Sequence, residues 1–105
     1  MKDMMNILRQ AQEMQDKMKK LQDDLETMSV VGTAAGGMVT AEVNGQGMLK
    51  SIKLDASVVN PADTGMLEDL ITVAVSDAQK KAQERQQQEM GALAGGMNLP
   101  FKLPF

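Results

Sequence analysis

Six cations in two tight clusters carry the most definite chemistry in this chain. Lys17, Lys19 and Lys20 form one cluster; Lys80, Lys81 and Arg85 form the other. Ammonium and guanidinium groups at that local density can hold phosphate, and they need no basic protein around them. Lys81 and Arg85, four residues apart, share one helical face. The same strings also hold acids. Asp23 and Asp24 follow Lys19 and Lys20 by four, and Asp77 and Glu84 flank the second cluster. A cluster of this kind taken alone also reads as a solvated helix face. Over the 105 residues, 11 Lys and Arg stand against 14 Asp and Glu, a net charge of −3. Any phosphate-binding surface must therefore be local.

Catalysis has little to work with. There is no histidine and no cysteine, which removes the usual general base, thiolate chemistry and the commonest transition-metal ligands. Ser29, Ser51, Ser57 and Ser76 have no imidazole to activate them. The acids Asp23, Asp24 and Glu26, and Glu68 with Asp69, lack EF-hand spacing. Gly32, Gly36, Gly37, Gly45 and Gly47 match neither a P-loop nor a dinucleotide-binding turn, and read as turn and bulge residues. The expectation is a non-enzymatic protein with no cofactor, no metal and no small-molecule substrate. Charges at Lys2, Asp3 and Arg9 interrupt any signal-peptide core, and no apolar run approaches a membrane span. A reducing, cytoplasmic setting fits a chain without cysteine.

The elements that must position these cations are legible from periodicity. Met4, Ile7, Ala11, Met14, Met18, Leu21, Leu25 and Met28 recur at alternating spacings of three and four. That is a coiled-coil seam, and it predicts a helix over 3–28, roughly 40 Å long. Lys17, Lys19 and Lys20 lie off the seam. After Met28 the period changes. A strand is expected over 30–35, broken by Gly36 and Gly37. A second strand follows over 38–43, in which Val39, Ala41 and Val43 alternate with Thr40 and Glu42. Asn44-Gly45-Gln46-Gly47 predicts a hairpin, with type I′ geometry at Asn-Gly. The return strand, 48–54, places Ile52 and Leu54 on one face and Ser51 and Lys53 on the other. Asp63 or Thr64 is a plausible N-cap for a second helix over 65–90. Its apolar stripe is Leu67, Leu70, Ile71, Ala74, Val75 and Ala78, and its cationic half lies beyond. Methionine substitutes for missing aromatics and predicts an adaptable core. Such strands span about 23 Å, so the longer helices must project, and the open sheet favours a second copy.

The chain divides into one domain, 1–96, and a tail, 97–105, containing Leu99-Pro100-Phe101 and Leu103-Pro104-Phe105. The tail reads either as a frayed end or as an apolar strip that docks in a groove.

The order of elements and several strings together resemble the YbaB/EbfC family of small bacterial nucleoid-associated proteins. The resemblance spans nearly the whole chain. It is carried by Gln10 to Gln22, by Val43-Asn44-Gly45-Gln46-Gly47, by Met66 to Ile71, by Ser76 to Lys81 and by the Leu-Pro-Phe repeat. Leu67-Glu68-Asp69-Leu70 ahead of an Ala/Val-rich helix is its most specific part. The family commonly has proline after the position of Asp55, where this chain has Ala56. The resemblance implies an α+β fold in the order α-β-β-β-α, a homodimer joined through its sheets, and helices projecting like tweezer arms. It also implies binding of double-stranded DNA in the nucleoid, with effects on nucleoid organisation and gene expression. Charge position assigns Lys17, Lys19, Lys20, Lys80, Lys81 and Arg85 as phosphate contacts. The competing reading is a dimeric adaptor that binds protein through the first-helix seam or the tail.

Overall fold

The computed structural model describes residues 2–95, so the 96/97 boundary and the Leu-Pro-Phe segment lie outside the described residues. Two long helices flank a small sheet. Helix α1 is Lys2–Thr27, strands β1, β2 and β3 are Val30–Ala34, Val39–Val43 and Leu49–Leu54, and helix α2 is Thr64–Gly95. The strands form an antiparallel meander in the order β1-β2-β3. The whole measures 73 × 23 × 16 Å, a rod rather than a ball.

The core is the contact between α2 and one face of β1 and β2. Val39, Ala41 and Val43 alternate onto that face and are fully buried, opposite Ala74, Ala78 and Ala82 of α2. Small side chains let the two backbones approach. A Cβ placed on Gly32 would lie 2.2 Å from the Ala78 amide nitrogen and 2.5 Å from the Ala74 carbonyl oxygen. The expectation of a methionine-filled core is therefore corrected. Met38, Met48 and Met66 are all exposed, because this close approach leaves room only for alanine, valine and glycine.

Local chemistry sets the ends of the elements. Asp63 accepts from the Met66 amide at 3.2 Å and caps α2. Helix α2 continues through Gly91 and past the expected stop near 90. Its last turns lie against α1, which offsets the roughly 1 kcal/mol that an interior glycine costs. The hairpin also differs from expectation. Gly45 has no positive φ; Gly47 does, at 87°. A bulge between Glu42 and Val43 shifts the register. The buried Asn44 side chain then accepts from the Gln46 and Met48 amides at 2.9 and 3.0 Å. Gly45 instead donates to the Leu25 carbonyl at 2.7 Å, clamping the end of α1 under the hairpin.

Helix α2 covers β1 and β2 but leaves β3 bare. Ile52 and Leu54 pair with Ala41 and Val39, so they share the face that α2 occupies, yet both are exposed. The Gln79 amide donates to the Gly47 carbonyl at 3.1 Å and holds one flank of α2 beside that hairpin. Ile71 and Val75, on the same flank, are only partly covered.

Candidate nucleic-acid interface

The opposite flank of α2 runs beside β1, and there the cations gather. Thr33 donates its amide to Asp77 at 3.0 Å, and Lys81 pairs with the same carboxylate oxygen at 3.0 Å. Asp77 thereby satisfies an edge-strand donor and anchors a lysine. The Thr33 amide first, and Lys81 second, hold its carboxyl below the ordinary value of 3.8. The sign follows directly. A carboxyl titrating lower in the native state stabilises the fold above its unfolded pKa and loses that contribution as pH falls through the native value. Asp77→Asn is accordingly expected to leave the protein less stable at neutral pH and to flatten its acid unfolding below about pH 4. Thermal melts of both proteins across acidic pH measure this; parallel curves would sink it.

One turn further, Arg85 and Lys81 line a shallow cavity with Ser29, Val31, Glu84 and Gln88. The Arg85 Nε donates to Glu89 at 3.4 Å. Glu89, Ala92 and Leu93 then line a second cavity with Lys17, Lys20, Leu21 and Asp24 of α1. The chain of neighbours Lys81, Arg85, Glu89, Lys17 and Lys20 makes one track where the two helices run past each other. Four of the six expected cations lie on it.

The other two do not. Lys19 lies about 160° around α1 from Lys17, and Lys80 about 140° around α2 from Arg85, at 100° per residue. At that helical period the six divide between the track and other faces of the same two helices. Lys19, Lys20 and Lys80 make no ion pair among the described residues. Lys81 and Arg85 do, although no acid separates them in their row; Asp77 and Glu89 bracket it at i−4 and i+4. Both pairs are exposed, and such pairs contribute about 0–1 kcal/mol, little enough for a phosphate to displace them.

Lys50 and Lys53 on β3 are further cations, outside both helical clusters. They lie near Glu42, whose carboxyl accepts from Ser29 and from Ser51, the latter at 3.2 Å. Those two hydroxyls, more than the lysines, hold the Glu42 carboxyl below its ordinary value. The polar alternation of Ser51 and Lys53 along β3 was the available signal. No group of acids able to hold a metal ion occurs among the described residues, nor any helix long and apolar enough to cross a membrane.

Comparison with known proteins gives a concordant result. The sequence pattern of the YbaB/EbfC DNA-binding family matches residues 1–97. A nucleoid-associated protein of Gemmatimonas aurantiaca is 52% identical over 103 residues, covering 98% of this chain and 99% of that one. One from Rhodospirillum centenum is 49% identical over 107 residues, covering 100% of both. The crystal structure of an uncharacterised protein from Helicobacter pylori superposes with a TM-score of 0.71 at 21% identity. That match covers 81% of this chain and 89% of the other, and shows the same fold.

Proposed function

This chain belongs to the YbaB/EbfC DNA-binding family, and we propose that it is a non-enzymatic, homodimeric, nucleoid-associated protein of the bacterial cytoplasm. It holds double-stranded DNA through backbone phosphates and so influences nucleoid organisation and gene expression. The observation that carries this reading is the track formed where the two helices pass. Lys17 and Lys20 on one and Arg85 on the other meet around Glu89, with Lys81 one turn beyond. Lys19 and Lys80 extend the cationic surface on the outer sides of the same helices. No aromatic side chain lines the track, and binding is largely through phosphate and shape. With all six cations engaged in both protomers, about 12 phosphates are the upper limit, and log K falls with log salt by about 0.9 per phosphate. A gel-shift series on random and genomic fragments is expected to show that steep, sequence-tolerant decline. A flat response, or no shift at low salt, would remove the proposal.

The dimer is supported by β3. Its apolar residues Leu49, Ile52 and Leu54 are exposed on an edge strand next to the half-covered Ile71 and Val75. A solvent-facing apolar edge is a template for a second copy. Ile52→Asp, which places a charge in the centre of that strip, is expected to halve the molecular mass seen by light scattering at micromolar concentration. An unchanged mass would move the dimer contact elsewhere.

A further inference from the structure

The sheet has a second face, turned away from α2. By register, Val31 and Thr33 of β1, Thr40 and Glu42 of β2, and Ser51 and Lys53 of β3 point to that side, and none of the six is buried. Lys50 joins them through the bulge. Glu42 pairs with Ser51 and Val43 with Leu49, which leaves Lys50 with no residue opposite it. Strict alternation would aim Lys50 at the α2 side; an extra residue at a bulge re-aims its side chain. Lys50 and Lys53 both stand beside the Glu42 carboxylate, which places both on the outer face.

The acids of this face already have partners. Ser29 and Ser51 donate to Glu42. The Asp55 carboxylate, just past β3, accepts from the Ser57 amide at 2.9 Å and from the Ser57 hydroxyl at 2.8 Å. Lys50 and Lys53 are exposed and make no ion pair among the described residues.

The face is continuous with the cationic track. Ser29 and Val31 line the cavity of Lys81 and Arg85, and both also border Glu42, Ser29 as its donor and Val31 as its cross-strand neighbour. From β1 the face crosses two strand spacings, about 10 Å, to Lys53 on the open edge. Antiparallel pairing of that edge with a second copy about Ile52 would extend three strands to six. At 4.8 Å between strands and 3.4 Å per residue, it would bring the two copies of Lys53 to about 8 Å from each other on one face. The two copies of Lys50 would flank them. Four ammonium groups against two hydrogen-bonded Glu42 carboxylates would then form the floor between the two helical tracks. Exposed ammonium groups at that density hold phosphate, and DNA entering one track crosses this floor to reach the other. We propose that the outer face of the paired sheet is a second DNA-binding surface, on which Lys50 and Lys53 of both copies hold backbone phosphates. The inference rests on the dimeric DNA-binding reading above and adds a surface that the helices do not contain.

Lys50→Gln with Lys53→Gln, in the full chain, is expected to keep the dimer mass in light scattering. Anisotropy on a random duplex is expected to show affinity lowered roughly tenfold or more at low salt, and a slope of log K against log salt flattened by about 3 to 4 for four lost phosphate contacts. Lys50→Arg with Lys53→Arg is expected to restore both. The chain has no cysteine, so an aryl azide attached at Ser51→Cys is unique, and light is expected to crosslink it to the duplex. An unchanged slope beside a steep parent slope, or no crosslink to bound DNA, would overturn this surface and leave the tracks as the whole contact. A flat slope in the parent protein itself would overturn both readings.

Discussion

Gly32→Ala is expected to unfold this protein or bring it to the edge of unfolding. The added methyl carbon would sit 2.2 Å from the Ala78 nitrogen and 2.5 Å from the Ala74 oxygen, both backbone atoms of a regular helix. A flexible side chain could swing away; these atoms cannot. Relief requires α2 to lift from β1 as a body, and lifting it wets Val39, Ala41 and Val43, which are fully buried. Overpacking of ordinary cores costs about 1–3 kcal/mol. Here backbone meets backbone and the displaced element covers the whole core, so a loss of about 3 kcal/mol or more is expected. That is a large share of a stability of about 5–15 kcal/mol. Urea unfolding followed by circular dichroism measures it, and a midpoint equal to that of the parent chain would refute the packing account. Gly36, where a Cβ would meet nothing within 4 Å, is the matched control for added volume; its φ of 67° limits the comparison to bulk.

Reversing the four cations of the track, as Lys17→Glu, Lys20→Glu, Lys81→Glu and Arg85→Glu together, is expected to abolish DNA binding at physiological salt. Each substitution removes one phosphate contact and places an anion beside the next phosphate. Four lost contacts flatten the salt slope by roughly 4 per protomer and lower affinity by a factor on the order of a thousand or more at moderate salt. The loss should be equal for all DNA sequences, since no base edge is being read. Stability should change little by comparison, because the two ion pairs removed are solvent-exposed. Lys19→Glu with Lys80→Glu, off the track, should weaken binding less. If the outer pair proves the more damaging, the DNA lies across the outer faces of the helices instead. Fluorescence anisotropy on one random duplex at three salt concentrations decides between these outcomes.

These two expectations differ in where their grounds could be seen. The helices, the meander and the Asp63 cap were readable along the chain, because each depends on neighbours within a few residues. A 3–4 apolar spacing needs only the helix to exist, and Val39-Thr40-Ala41-Glu42-Val43 needs only a strand with one wet face. The Asn-Gly turn failed for a related reason. Its preferred geometry is local, but a bulge in β2 and the bond from Gly45 to the Leu25 carbonyl are imposed from outside the turn.

Periodicity likewise shows that a stripe exists without showing what covers it. The seam of α1 is visible in the spacing, yet only the packed chain reveals that Leu25 alone of it is buried, that Met14, Met18 and Leu21 are partly covered, and that Met4 and Ile7 are exposed. The methionine core was misjudged because the separation of α2 from β1 is set by Gly32 meeting Ala74 and Ala78 across more than forty residues.

The amino-acid order by itself determined the kind of elements, the family and the places where charge accumulates. Tertiary packing decided which charges become neighbours. Lys19 and Lys20 are adjacent in the chain and face different ways, whereas Lys20 and Glu89 are distant in the chain and line one cavity. The helical period of 100° per residue separates the first pair, and the passage of one helix against another joins the second.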